Sequence, residues 1–141
     1  MTRPALPPVT ASMDENYNRR LQVGDKILSV EVVSTPSSQA LGLSGRASLK
    51  DSQGMLFDFG QRVRPAFWMK DMNFGLDIIW VSGGKIIGIT GNVPAPDSNQ
   101  KSQDSNLKLY YPPSPADMVL EVNAGWSGTN RIKIGDEVRL Q

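Results

Sequence analysis

The sequence predicts a mainly β domain: a single antiparallel β-sandwich or partly open barrel with one or two short helices. Three observations predict it. Short runs rich in Val, Ile, Phe and Trp recur along the body, separated by Gly, Asn, Asp or Pro, which is how strands and their turns read. Gly24-Asp25 and Ser82-Gly83-Gly84-Lys85 are compact turns between such runs. Helix signals are confined to two short stretches, so the alternation of a βαβ fold is missing.

Residues 2–18 contain Pro, Ser and Asn and show neither helical nor strand periodicity. With so little apolar surface to offset ordering entropy, residues 1–18 are expected to form a disordered arm or linker, and residues 19–141 a single domain. Met1 to Pro8 carries three prolines and no apolar core, so it is not a signal peptide. It reads as a stalk of the kind left when an upstream anchor or signal is removed.

Arg20–Val23 and Lys26–Val33 are expected strands flanking the first turn. In the second, Ile27, Val30 and Val32-Val33 mix faces, which calls for a bulge or a doubly buried end. Thr35 is a good N-cap and Pro36 fits the first helical position, so a short helix should cover Ser37–Leu41 and stop at Gly42. Gly54–Gly60, Ala66–Lys70 and Leu76–Val81 are three further strand candidates. They hold six of the ten aromatic residues with their near neighbours (Phe57, Phe59, Phe67, Trp68, Phe74 and Trp80), which places the centre of the core there. Ile86–Thr90 should return from the Gly83-Gly84 turn. Asn92–Asn106 contains almost nothing apolar and is expected to be a mobile insert. Leu107–Tyr111, ended by Pro112-Pro113, and Met118–Val122 are read as strands. Ala124–Asn130 is read as one helical turn, and Ile132–Leu140 as the closing segment with a Gly135-Asp136 turn.

Composition narrows the chemistry. One domain suits 141 residues, and a net charge of +1 supplies no general field for nucleic acid or an acidic membrane. The absence of Cys and His removes disulfides, thiol chemistry, Ser-His and Cys-His dyads and the usual zinc sites. The longest apolar runs, such as Ala66–Met69 and Ile78–Val81, fall far short of the roughly 18 residues a membrane helix needs, so no membrane insertion of this segment is expected.

Six blocks occur in a recognisable order: Gly42-Leu43-Ser44-Gly45-Arg46, Gly54-Met55-Leu56-Phe57, Phe67-Trp68-Met69-Lys70-Asp71-Met72, Leu76-Asp77-Ile78-Ile79-Trp80, Val119-Leu120-Glu121-Val122-Asn123-Ala124-Gly125 and Ile134-Gly135-Asp136. Together they resemble the domain-of-unknown-function family 192 over about Leu21 to Leu140. The resemblance implies a compact mainly-β domain from a bacterium or archaeon, often exported behind a signal peptide or one membrane anchor. It implies no activity. Two positions depart from the family pattern: Ser44 stands where Met is usual, and Asp71 where Asn is usual. Some relatives carry two cysteines in the loop equivalent to Asn92–Asn106, and this chain has none.

Lone charges in apolar runs mark the candidate site. Asp77 should share a face with Ile79 and Val81, and Glu121 with Val119. A carboxylate on an apolar face is costly unless paired, and Lys70 and Arg46 are the obvious partners. One reading is structural ion pairs; the other is a small polar cleft bordered by Arg46, Lys70, Asp77 and Glu121 and covered by the 92–106 loop. Asp77 and Glu121 could also act as an acid–base pair if about 5–9.5 Å apart. A hard-cation site from Asp77, Glu121 and Asp136 lacks calcium-loop spacing, so no metal and no cofactor is expected. No Ser-Lys motif or phosphate-binding glycine loop is present, and Arg62 and Arg64 before Phe67-Trp68 are better explained by core aromatics than by nucleic acid. Trp126, in a polar setting, either stacks on a ligand with Tyr110 and Tyr111 or plugs one end of the sheet.

The expectation is therefore a monomeric, non-enzymatic, extracytoplasmic binding or accessory module for a small molecule, glycan or protein, with hypothetical ligand-binding residues Arg46, Lys70, Asp77, Glu121 and Trp126. The alternative is a small carboxylate-dependent hydrolase acting on a cell-envelope polymer.

Overall fold

A computed structural model describes residues 15–98 and 107–141. Seven strands are formed by β1 (Arg19–Val23), β2 (Lys26–Val33), β3 (Gln53–Val63), β4 (Leu76–Ser82), β5 (Lys85–Val93), β6 (Ala116–Asn123) and β7 (Val138–Leu140). They make one sheet in the order β5-β4-β6-β3-β2-β1-β7, curled into a half-barrel. Near Lys85 and Glu137 the two edges meet in a single bridge, tied by Ile86 N–H to Asp136 O and Val138 N–H to Gly84 O.

The sheet is mixed. β2 and β3 run parallel, Val30 beside Gly54 and Val32 beside Leu56, whereas every other pair is antiparallel. A parallel pair needs a crossover, and residues 34–52 supply one through helix α1 (Pro36–Leu41). The mainly antiparallel expectation holds for the other five pairs; this one was not legible because the Thr35-Pro36 signal marks a helix without saying which way the next strand returns. The start signal itself is realised in full. The Thr35 side chain accepts from Ser38 N–H, Ser38 Oγ reaches back to Thr35 N–H, and Pro36 occupies the first turn. Gly42, at φ 52°, ends the helix in a conformation that a side chain would strain.

Strand alternation splits the core into two layers. Leu21, Val30, Leu56, Ile79, Leu120, Val122 and Val138 fill the inside of the curl. Met55, Phe57, Ile78, Trp80 and Val119 face outward, where α1 and the irregular segments cover them. Helix α2 (Trp126–Thr129) closes one end of the inner layer, with Trp126 buried in it. Edge-to-face contacts join Phe67 to Phe57 at 4.8 Å and to Trp80 at 5.5 Å, so the aromatic concentration does mark the outer core.

Three local expectations change. Ala66–Lys70 and Leu107–Tyr111 are not strands: they meet in one bridge, with Phe67 and Tyr110 exchanging N–H···O bonds of 2.8 Å. Pro65 and Pro112 flank that bridge without donors of their own, which stops the ladder from extending. Asn92 and Val93 belong to β5 rather than to a loop, while residues 99–106 of the expected insert lie outside the described residues. Tyr17, placed within the expected arm, is buried at 6 % exposure in the outer core layer, and residues 1–14 of that arm lie outside the described residues.

Candidate functional site

The five residues singled out from the sequence do not converge. Asp77 and Glu121 lie on adjacent strands, but Ile78 is the partner of Glu121 and Val122 the partner of Asp77. Paired residues share a face, so Asp77 points inward with Val122 and Glu121 outward with Ile78 and Met55.

Asp77 is fully committed to the backbone. Its Oδ1 accepts from Asn92 N–H at 2.8 Å and Gly125 N–H at 2.9 Å, and its Oδ2 accepts from Ser127 N–H at 2.9 Å. Burial pushes the carboxyl up, but these three donors outweigh it and leave the group below the ordinary carboxylate range. Gly125 sits at φ 86° at the start of α2 and has no side chain to cap it, so Asp77 caps the turn from another strand. Asn92, at φ 54°, is held by the same oxygen as Gly125. The expected partners Lys70 and Arg46 play no part in this network.

Arg46 instead bonds Glu31 at 2.8 Å and donates to Tyr17 Oη at 2.7 Å, with its guanidinium 5.6 Å above the tyrosine ring. Lys70 places its ammonium 5.3 Å from the centre of the Trp68 ring, and its carbonyl accepts from Ser44 Oγ. Neither residue lines a cavity with Glu121. Trp126 is core, touching the surface only beside a depression lined by Lys26, Ile27, Asp51 and Asn130. The four-charge cleft is therefore replaced by separate structural contacts plus one remaining acid.

Glu121 is that acid. Its backbone is paired into β3 on one side and β4 on the other, so only its side chain can reach the cavity it lines. The residue is 4 % exposed, and among the described residues its carboxyl has neither a hydrogen-bond donor nor a cation. Burial alone pushes it up to about 8, so the neutral acid predominates at pH 7.

The cavity above it holds about 200 Å³. It exists because α1 buries no side chain in the sheet. The helix is held off by Gln39, whose amide donates to Val33 O and, at 2.9 Å, to Asp58 O. Phe57, Phe59, Phe67 and Met72 make walls, and Leu41 and Trp68 stand at the mouth with 61 % and 38 % of their surfaces exposed. Ser44, one of the two departures from the family pattern, also lines it and is anchored to Lys70 O at 2.8 Å. The other, Asp71, sits at φ 59°, where Asp and Asn are both tolerated better than most residues.

Sequence reasoning found Glu121 and missed its surroundings. Leu41 is the one large apolar residue of a short helix otherwise made of Pro, Ser, Gln and Ala, which was a signal that it packs against no neighbour. Trp68 and Phe59 were indistinguishable from the buried aromatics around them. Among the described residues, no group of acids could hold a metal ion, and no helix is long and apolar enough to cross a membrane.

Four of the six sequence blocks meet at this cavity: Gly42–Ser44, Phe57, Phe67-Trp68 with Met72, and Glu121. The model of the DUF192 family, described as "Uncharacterized ACR, COG1430", matches residues 19–140. A crystal structure from Sinorhizobium meliloti 1021, provisionally described as a transcription regulator, superposes with a TM-score of 0.76 at 27 % identity, covering 86 % of this chain and 92 % of that one. A protein of unknown function from Novosphingobium aromaticivorans DSM 12444 gives 0.73 at 28 % identity, with 85 % and 83 % covered. No curated protein matches. Fold, block order and family model agree over nearly the whole described chain, and the chain belongs to the DUF192 family.

Proposed function

We propose that this protein is a non-enzymatic binding module, acting outside the cytoplasm, whose site is the cavity over Glu121 and whose ligand is a small molecule with an apolar body and one polar group. The observation that carries the reading is the Glu121 carboxyl, buried, without a partner among the described residues, and lining a preformed space with aromatic walls. A buried polar group left unsatisfied costs roughly 1–3 kcal/mol, so stability gives no account of an acid at this position. A concave pocket with aromatic walls and a few placed polar groups, here Glu121 with Gln39 and Ser44, is the usual form of a small-molecule site.

The hydrolase alternative finds no support in the geometry. Two carboxyls on opposite faces of one sheet cannot flank a single bond, and Asp77 has both oxygens engaged. The regulator description of the Sinorhizobium relative is not carried over as DNA binding. The net charge is +1, and Arg64, beside the exposed Trp68 segment, donates to Pro112 O.

The test is a ligand-observed NMR screen of neutral aromatic fragments against the wild type and Ala40→Trp. Ala40 is exposed on α1 and lines the cavity, so a tryptophan there obstructs the space without entering the core. Fragments that bind the wild type and are lost in the variant are the expected result. Fragments that bind both equally, or neither, overturn the reading. Fractionation of the producing cell tests the location: recovery with the soluble cytoplasm overturns it.

A further inference from the structure

Building on the binding reading above, we infer that the Glu121 cavity selects a small organic cation: an aryl or alkyl amine whose ammonium meets the Glu121 carboxyl while its apolar body lies among Phe57, Phe59, Phe67 and Trp68. Three features of the cavity point the same way. The first is charge: Glu121 is the only ionisable side chain among the lining residues, and no Lys or Arg lines the space. An anionic ligand would meet an acid with no compensating charge, whereas an ammonium supplies the counter-charge and the hydrogen-bond donor that the carboxyl lacks. The second is the wall. Phe57, Phe59, Phe67 and Trp68 line the space, and a ring that turns its face to the ligand presents the negative end of its quadrupole, which attracts cations and repels anions. The third is size. A space of about 200 Å³ exceeds an apolar cavity of roughly 150 Å³ that accepts benzene, leaving room for one ring and a short amine-bearing chain.

Of the charged groups around the site, one cation approaches the wall, and the others stand apart from it. Met55 and Phe57 on β3 and Ile78 on β4 face Glu121 from the flanking strands, and α1 carries no titratable group. Glu31 is neutralised by Arg46 on the far side of Met55. Lys70 and Asp71 lie outside the lining, but the Lys70 ammonium stands 5.3 Å from the centre of the Trp68 ring, which leaves Phe57, Phe59 and Phe67 as the cation-attracting part of the wall. On binding, an ammonium displaces the acidic proton of Glu121 to solvent, and the ion pair forms with no other bond made or broken.

The experiment compares 2-phenylethylamine, 2-phenylethanol and 3-phenylpropanoate by isothermal calorimetry at pH 7, on the wild type, Glu121→Gln and Ala40→Trp. The amine is expected to bind the wild type at least tenfold more tightly than the alcohol, with net proton release seen as a dependence of the heat on buffer ionisation enthalpy. Glu121→Gln should abolish the amine's advantage while still binding the alcohol, which shows that the pocket is intact. If the alcohol or the acid binds the wild type as tightly as the amine, and Ala40→Trp blocks it, the cation preference is overturned and the pocket stands. If none of the three binds the wild type at millimolar concentration, both readings fall.

Discussion

Asp77 and Glu121 stand on neighbouring strands one residue out of register, and that single residue sends their carboxyls to opposite faces of the sheet. The two acids then take opposite fates. Asp77 receives three backbone N–H groups and is held ionised; Glu121 receives none from the described residues and is held neutral. The contrast gives each a distinct signature in solution.

Glu121 makes the protein less stable as pH rises. The folded state holds this proton up to about 8, against an ordinary value of 4.5. Its contribution is fully present below about pH 4.5 and is lost as pH climbs through 8, at a slope approaching 1.4 kcal/mol per unit. Glu121→Gln removes that slope. Urea unfolding between pH 5 and 8 should show the variant gaining on the wild type by a few kcal/mol; parallel curves would show that the carboxyl is solvated in the folded state.

Asp77 behaves in the reverse sense. Its lowered value means that its contribution is present above the unfolded value of 3.8 and disappears as pH falls through the folded value below that. Asp77→Ala strands the N–H groups of Asn92, Gly125 and Ser127, at a cost of about 2–4 kcal/mol at pH 7. Hydrogen exchange should locate the loosening at Gly125–Thr129 and Asn92. An unchanged melting temperature would contradict the capping role.

Tyr17 anchors the start of the domain. It is buried in the outer core layer, and its hydroxyl accepts from the Arg46 guanidinium. Tyr17→Ala should lower stability by about 3 kcal/mol, as truncation of a buried aromatic does, and Tyr17→Phe by about 1 kcal/mol. If chemical denaturation finds Tyr17→Ala neutral, the segment before β1 is not part of the folded unit.

Trp68 is the optical reporter of the cavity. It is more than a third exposed at the mouth, so Trp68→Ala should alter stability by under about 1 kcal/mol. In the wild type, 2-phenylethylamine should change tryptophan fluorescence in a saturable way, and the response should be absent from Trp68→Ala. A response that survives there belongs to Trp80 or Trp126 and places binding elsewhere.

The local alphabet of the fold was legible in the sequence. Turn glycines, β-branched runs and the Thr35-Pro36 start place six strands and α1 within a few residues, because these signals depend on backbone preferences that act locally. The alternation that puts Asp77 with Ile79 and Glu121 with Val119 was also readable, since side chains of a strand change face at every residue. Tertiary structure decided the rest. The parallel β2–β3 pairing, the register that separates the two acids, and the single bridge at Phe67–Tyr110 depend on which strand lies beside which. The cavity has the same origin. Gln39 holds α1 off the sheet by bonding Val33 and Asp58, residues 6 and 19 positions away, and that gap turns a lone glutamate in an apolar strand into the base of a pocket.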